Sequence, residues 1–189
     1  MKILLITAFY PPEIRSASNL MLELAEELSS RGHEVTVITT WPEYNLPEIT
    51  PTNRFKEEMV EDGIKIIRVC TFPRYNVNYI KRGMSELLMP IQFILKLGKL
   101  NILPEAVIAY SPPLLLSFVG SWYRAKRIPF ILNVQDLFPQ NAVDLGVLKN
   151  PLLIWGFRKI EALIYRSASK ITVHSAGNRK HMLRQFPKI

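Results

Sequence analysis

Lys2-Ile3-Leu4-Leu5-Ile6-Thr7-Ala8-Phe9 opens the chain, and with the thirty residues after it this run decides the fold. It is almost unbroken in apolar side chains, as in a parallel strand buried on both faces. Tyr10-Pro11-Pro12-Glu13-Ile14 stops it, because proline has no N–H to donate and fixes φ. Ser16-Ala17-Ser18 then offers hydroxyl caps for a helix whose apolar positions are Leu20, Met21, Leu24, Ala25 and Leu28. Gly32 closes that helix at its C′ position, and Glu34-Val35-Thr36-Val37-Ile38-Thr39 is a second strand. The result is a βαβ unit. In doubly wound sheets a ligand sits beyond the carboxyl end of such a first strand, near the following helix N-terminus. Residues 10–18 are therefore the first candidate site.

The pattern repeats along the chain. Trp41 to Gly63 is polar, proline-rich and long for a connector, which predicts a functional or mobile loop. Ile64–Cys70 restores a strand, and Phe72-Pro73-Arg74-Tyr75-Asn76 breaks it. Residues 80–100 read as a helix that Pro90 should kink. Ile80, Met84, Leu87, Leu88, Ile91, Ile94 and Leu95 share one stripe, with Met89, Phe93 and Leu97 off it and Lys81, Arg82, Lys96 and Lys99 near the ends. Such a helix either lies in a membrane interface or is a core helix buried on two sides. Further strands are read at 106–110, 129–134 and 170–174, with helices at 114–124, 152–167 and from Gly177 to Phe186. Alternation of this kind implies an open, mostly parallel sheet with right-handed crossovers. Six strands pointing one way would gather Arg15, Ser111 and Asp136 along a common crevice.

Composition narrows the classes. A chain of 189 residues suits one large α/β domain, burying about 70% of its unfolded surface. The 48% hydrophobic content excludes disorder. Cys70 is the single cysteine, so no internal disulfide forms and a reducing compartment, the cytoplasm, is expected. The uncharged stretch from Ala106 to Tyr123 is split by Pro112-Pro113 and reads as core rather than a membrane span. Residues 1–62 carry 5 basic and 11 acidic side chains, whereas residues 63–189 carry 19 and 5, leaving +8 overall. That asymmetry suits an anionic partner near the later segment, and equally a solvated basic surface.

No Gly-x-Gly-x-x-Gly or Walker loop occurs, and His33, His174 and His181 are too scattered for metal ligation. Asp136, just beyond the fifth of these strands, could take a proton from an acceptor hydroxyl or orient a sugar; it could equally cap its turn. Ser111 stands at the equivalent edge of the fourth strand, as a ligand donor or a turn residue. His174 closes the last strand at the same edge. The basic charge alone points to nucleic acid, but no motif or basic-aromatic platform supports such binding.

These residues together resemble the N-terminal domain of GT-B fold glycosyltransferases, in particular the retaining family four. The resemblance rests on Lys2–Ile6 with Tyr10-Pro11-Pro12-Glu13, on Leu24–Leu28 with Arg31-Gly32-His33-Glu34-Val35-Thr36-Val37, and on Asp62–Val69. It continues through Ser111-Pro112-Pro113-Leu114 and Asp136-Leu137-Phe138-Pro139. The subgroup it resembles most builds bacterial or archaeal surface polysaccharides from deoxy-amino sugars. The fold so implied is Rossmann-like, three layers α/β/α, over residues 1–189. This half would bind the acceptor, and a C-terminal domain outside the chain would hold the nucleotide-sugar donor. The resemblance implies retention of configuration, with no cofactor and usually no metal. It carries a catalytic role over to Asp136 alone; Glu13, Arg15, Ser16, Ser111, Gln135 and His174 are expected to bind substrate from their places along the strand ends.

Where relatives have a glycine-rich loop after the first strand, this chain reads Glu13-Ile14-Arg15-Ser16-Ala17-Ser18, so Arg15 and Ser16 would meet a diphosphate instead of backbone N–H groups. Where many carry a histidine in the strand-five loop, it has Gln135 and Asp136. The second-domain Glu-x7-Glu motif is absent, which predicts a fragment that folds and hardly catalyses. The expected acceptor is a glycan linked to polyprenyl diphosphate, met at the inner face of an anionic cell membrane. The alternative is a free-standing α/β binding module without catalysis.

Overall fold

The computed structural model describes residues 1–47 and 55–187. Seven strands form one sheet: β1 (Lys2–Ile6), β2 (Glu34–Thr40), β3 (Glu58–Glu61), β4 (Ile64–Val69), β5 (Ala106–Ser111), β6 (Phe130–Val134) and β7 (Lys170–Val173). Their order is β3-β4-β2-β1-β5-β6-β7. Every pair is parallel except β3 with β4. The mostly parallel Rossmann-like sheet is as read from the sequence, but β3 is an addition. Asp62 and Gly63 both take positive φ (48° and 79°), the geometry of a two-residue type I′ hairpin. The second part of the expected 41–63 loop is thus an edge strand, while residues 48–54 lie outside the described set.

Alternation along each strand builds two cores. Ile3, Leu5, Val35, Val37, Ile64 and Ile66 face α1 (Ser16–Ser30), meeting Met21 and Ala25. Leu4, Ile6, Ile38, Ile67, Val107, Ala109, Leu132 and Val134 face the opposite layer. That layer holds α2 (Tyr79–Lys99), α3 (Phe118–Ala125) and α5 (Pro151–Ser167); α4 (Gln140–Asp144) and α6 (Ala176–Gln185) complete the chain. Residues 114–117, expected at the start of a longer helix, form a 3-10 turn that leads into α3.

Two local expectations are corrected. Arg15, not a serine, occupies the N-cap of α1, its side chain making no capping hydrogen bond to the helix, and Ser16 is already helical. Leu20 is exposed, so the buried face of α1 is narrower than its sequence suggests. The larger correction concerns α2. Met89, Phe93 and Leu97 are fully buried, whereas Met84, Leu87, Ile91 and Leu95 each expose more than half their surface. The helix meets the core with the residues read as off-stripe and turns most of the stripe to solvent; Leu88 and Ile94 are half-buried, Ile94 against the core. It is not buried on two sides. Ile80 has a side chain outside the described set.

Candidate active site

The sheet order reverses direction between β1 and β5, and a cavity of about 450 Å³ opens beyond the carboxyl ends of these two strands. This is where the topology of an open parallel sheet leaves room, because successive crossovers depart to opposite sides. The loop after β1 contributes Phe9 and Arg15, the segment after β4 contributes Arg74 and Tyr75, and the turn after β5 contributes Pro112 to Leu115. Arg82 and Glu86 on α2, Phe138 after β6, and Phe157 on α5 complete the wall. Phe138 and Phe157 pack edge to face, their ring centres 5.0 Å apart.

Arg15 is held by aromatic rings. Its guanidinium carbon lies 4.6 Å from the ring centre of Phe9 and 4.8 Å from that of Tyr44, within cation–π range. Its Nη2 donates to the Tyr75 hydroxyl at 3.2 Å, and Tyr75 stacks on Tyr44 at 4.7 Å. Burial pushes the Tyr75 phenol up from its usual range, so it stays protonated against the pull of Arg74.

Glu13 ties the loop down from below. It is buried; Oε1 accepts from the backbone N–H groups of Glu43 and Tyr44 at 3.0 and 3.2 Å, and Oε2 sits 3.6 Å from Arg15 Nε. Ile14 and Asn45 exchange two further bonds, Ile14 N–H to the Asn45 carbonyl and Asn45 Nδ2 to the Ile14 carbonyl. The loops after β1 and β2 thereby form one unit. Burial also pushes the Glu43 carboxyl up, with Arg74 pulling it down and Glu13 adding to the rise.

Arg74 is 5% exposed. Its Nη2 donates to Thr40 Oγ1 at 2.8 Å, while the Thr40 hydroxyl donates to the Ala8 carbonyl. Its Nε makes no hydrogen bond, and among the described residues no carboxylate oxygen lies within 4.0 Å of it. At the mouth, Arg82 Nε pairs with Glu86 at 3.2 Å.

The other sequence candidates form a second group along the same edge. Ser111 is buried, and its carbonyl accepts from Gln135 N–H at 2.9 Å. Asn178 of α6 reaches the Gln135 carbonyl at 3.4 Å and His174 Nδ1 at 3.5 Å. Asp136 is exposed, accepts from Asn141 Nδ2 at 3.4 Å, and adds to the rise that burial imposes on the Tyr110 phenol. Ser16 is exposed on the first turn of α1. Of the seven candidates only Arg15 lines the cavity. The single crevice expected for Arg15, Ser111 and Asp136 is therefore corrected: Pro112 and Pro113 cover the position after Ser111, and Phe138, two residues beyond Asp136, takes the lining position. Among the described residues no three His, Cys, Asp or Glu side chains gather as a metal site.

The sequence reading missed Phe9, Arg74, Tyr75 and Phe157 as site residues. For Arg74 and Tyr75 the available signal was position, since they follow the carboxyl end of a strand that neighbours β2.

Comparison with known proteins is decided by one match. Residues 17–188 fit the model of the glycosyl transferase 4-like domain. The chain belongs to that family. It is also 31% identical over 105 residues to a probable glycosyltransferase, WbjE of Pseudomonas aeruginosa, an alignment spanning 54% of this chain and 26% of that protein. In fold it is similar to sucrose-phosphate synthase from Thermosynechococcus elongatus (TM-score 0.62, 17% identity), over 97% of this chain and 44% of that one. The apo UGT2 of Phytolacca americana is similar too (TM-score 0.57, 14% identity), over 100% of this chain and 50% of that one. This glycosyl transferase 4-like chain thus spans about a quarter of the curated relative and about half of the solved structures. Its fold is that of the N-terminal half of GT-B glycosyltransferases.

Proposed function

We propose that this chain is the acceptor-binding half of a retaining glycosyltransferase. The whole enzyme would move a sugar from a nucleotide-sugar donor, held mainly by a second domain, to a lipid-linked glycan in surface-polysaccharide synthesis. The observation that carries the reading is the cavity at the β1/β5 switch point in a member of this family, lined by the guanidinium groups of Arg15, Arg74 and Arg82 together with Leu114, Leu115, Phe138 and Phe157.

Glycosyl transfer to a hydroxyl needs a group to accept its proton. Asp136, exposed in the loop after β6, is the carboxylate of this strand edge that would take that role. Ser16, Gln135 and His174 would then meet the substrates from the same rim. The exposed α2 stripe, with Lys81, Arg82 and Lys99, supports peripheral contact with an anionic membrane on the cytoplasmic side. No helix among the described residues is long and apolar enough to cross a membrane.

The test is transfer by the protein carrying its donor domain. Asp136→Ala should lower turnover by about two orders of magnitude or more; normal turnover removes Asp136 from the chemistry. Vesicle co-sedimentation tests the surface reading. The chain should bind anionic vesicles at low salt and lose binding when Leu87, Ile91 and Leu95 are all changed to serine.

A further inference from the structure

The sheet ends at β7, and its outer edge is open. Among the described residues the backbone of Lys170–Val173 makes no hydrogen bond beyond its ladder with β6, so the N–H and C=O groups along its outer side have no protein partner. The helix that follows does not close this edge. It leans on one face of the strand, where Met182 joins the buried cluster against which Ile171 and Val173 pack. Between β7, the end of α5 and α6 lies a second cavity of about 450 Å³, which shares no lining residue with the one at the switch point. Arg166, Lys170 and Arg179 line it; all three are exposed, and among the described residues none of their side chains has an ion pair or a hydrogen bond. No Asp or Glu lines the cavity, and Glu161, the one carboxylate of α5, is buried outside it. The floor between the cations is apolar: Ile171, Val173 and Met182, with Leu183 left 44% exposed.

We propose that β7 and this cavity take an extended, acidic segment of a partner protein, added to the sheet as a further strand. Strand addition draws affinity from the free backbone groups of an edge and selectivity from pockets beside it. Side chains alternate along β7, so Ile171 and Val173 face the core and α6 while Lys170 and Thr172 face away. Cross-strand neighbours share a face. A segment that alternates apolar and acidic residues therefore sets its apolar side chains against Met182 and Leu183 and its carboxylates beside Lys170. Arg166 and Arg179 offer planar forks to further carboxylates. The same charges exclude the simplest competitor. A second β7 laid against the first would bring these three cations onto themselves, which keeps copies of the chain apart and leaves the edge to a strand of opposite charge. A small anion would match the cations but leave the strand edge and the apolar floor bare.

Fluorescence anisotropy with a short labelled peptide alternating glutamate and valine tests the edge. The comparisons are the same peptide with lysine for glutamate, the acidic peptide with a central proline, and inorganic tripolyphosphate as competitor. The acidic peptide should bind at least about tenfold more tightly than the lysine and proline versions, and more weakly as salt rises. Its binding should slow hydrogen exchange at the amides of Lys170–Val173. Lys170→Glu combined with Arg179→Glu should cost the acidic peptide about tenfold or more and favour the lysine peptide instead. Both side chains are exposed, so the fold is not at stake, and Arg166→Glu alone should act in the same direction. Equal binding of the lysine peptide overturns the charge match. Equal binding of the proline peptide, or unchanged exchange in β7, overturns strand addition. Displacement by tripolyphosphate as effective as by unlabelled peptide reduces the site to an anion seat and overturns the proposal. Self-association of the chain that Lys170→Glu abolishes would give the edge to the acidic β3 of a second copy and overturn the partner.

Discussion

Glu161 makes the stability of this domain depend on pH in the direction opposite to most carboxylates. It sits on α5 one turn before Ile164 and Tyr165, and this i, i+3, i+4 face packs inward, leaving Glu161 8% exposed. Burial pushes its carboxyl from the ordinary 4.5 up to about 7, against the lowering effect of the Tyr165 hydroxyl and, less, of Arg158. The folded state therefore binds the proton more tightly than the unfolded chain. Below about pH 4.5 both states are protonated and the full stability is present. Between 4.5 and 7 the unfolded chain releases its proton first, so stability falls as pH rises, and above 7 the loss is complete. At about 1.4 kcal/mol per tenfold the loss is about 3 kcal/mol. Urea unfolding at pH 5 and pH 8 reads it. With a slope of about 2 kcal/mol per molar, the Glu161 contribution lowers the midpoint at pH 8 by roughly 1 M. Glu161→Gln should remove most of this contribution and be more stable than the parent at pH 8. An identical pH 5 to pH 8 difference in parent and variant would refute the argument.

Three further outcomes follow from the packing. Gly120 of α3 rests on the fully buried Phe130 ring, so the Cβ of Gly120→Ala would overlap it; the expected loss is about 2 kcal/mol, a fall of roughly 4–8 °C in Tm, and an unchanged Tm would show that the ring can move away. Glu13→Ala frees the Glu43 and Tyr44 N–H groups and strips Arg15 of its carboxylate, so hydrogen exchange at these two amides should accelerate well before global unfolding, with about 2–4 kcal/mol lost locally. Phe93→Ala should cost about 3–5 kcal/mol, whereas Ile91→Ser should stay within about 0.5 kcal/mol of the parent; the reverse ranking would mean that α2 presents its other face to the sheet.

The strands were legible because a strand buried on both faces is mostly apolar, and Leu4–Ile6, Ile64–Val69 (broken only by Lys65 and Arg68) and Ala106–Tyr110 have few other readings. The exception, β3, is short, polar and at the sheet edge, with burial on one residue's scale; its only strong signal was Asp62-Gly63, a turn pair rather than a strand pattern. The site was half legible. Topology placed the loop after β1 at the switch point, but of Glu13, Arg15 and Ser16 only Arg15 turns into the cavity. It could not say that Ser111 would be buried or that Phe138 would displace Asp136 from the wall, since those depend on how each loop turns.

The inverted face of α2 shows where a pattern argument fails and why. Met84, Leu87, Ile91 and Leu95 obey helical periodicity as well as Met89, Phe93 and Leu97 do, so amphipathicity has no single answer in a helix apolar nearly all round. What breaks the tie is the rest of the chain. Ser85 donates to the Pro73 carbonyl at 2.8 Å, which fixes the inward side of the first turns, and Lys96 pairs with Glu57 at 2.6 Å, fixing the last ones. Both contacts join α2 to the chain on either side of the β3-β4 hairpin, and Phe93, between them in sequence, shares the buried cluster with Ile67 and Val69. The stripe left outside then needs a reason to be apolar, because an ordinary solvent face costs nothing to make polar. A surface of four large apolar side chains, continuing from Leu87 in the lining of the cavity, is the size of patch that marks an interaction site, which is why the proposed membrane contact is placed on this helix.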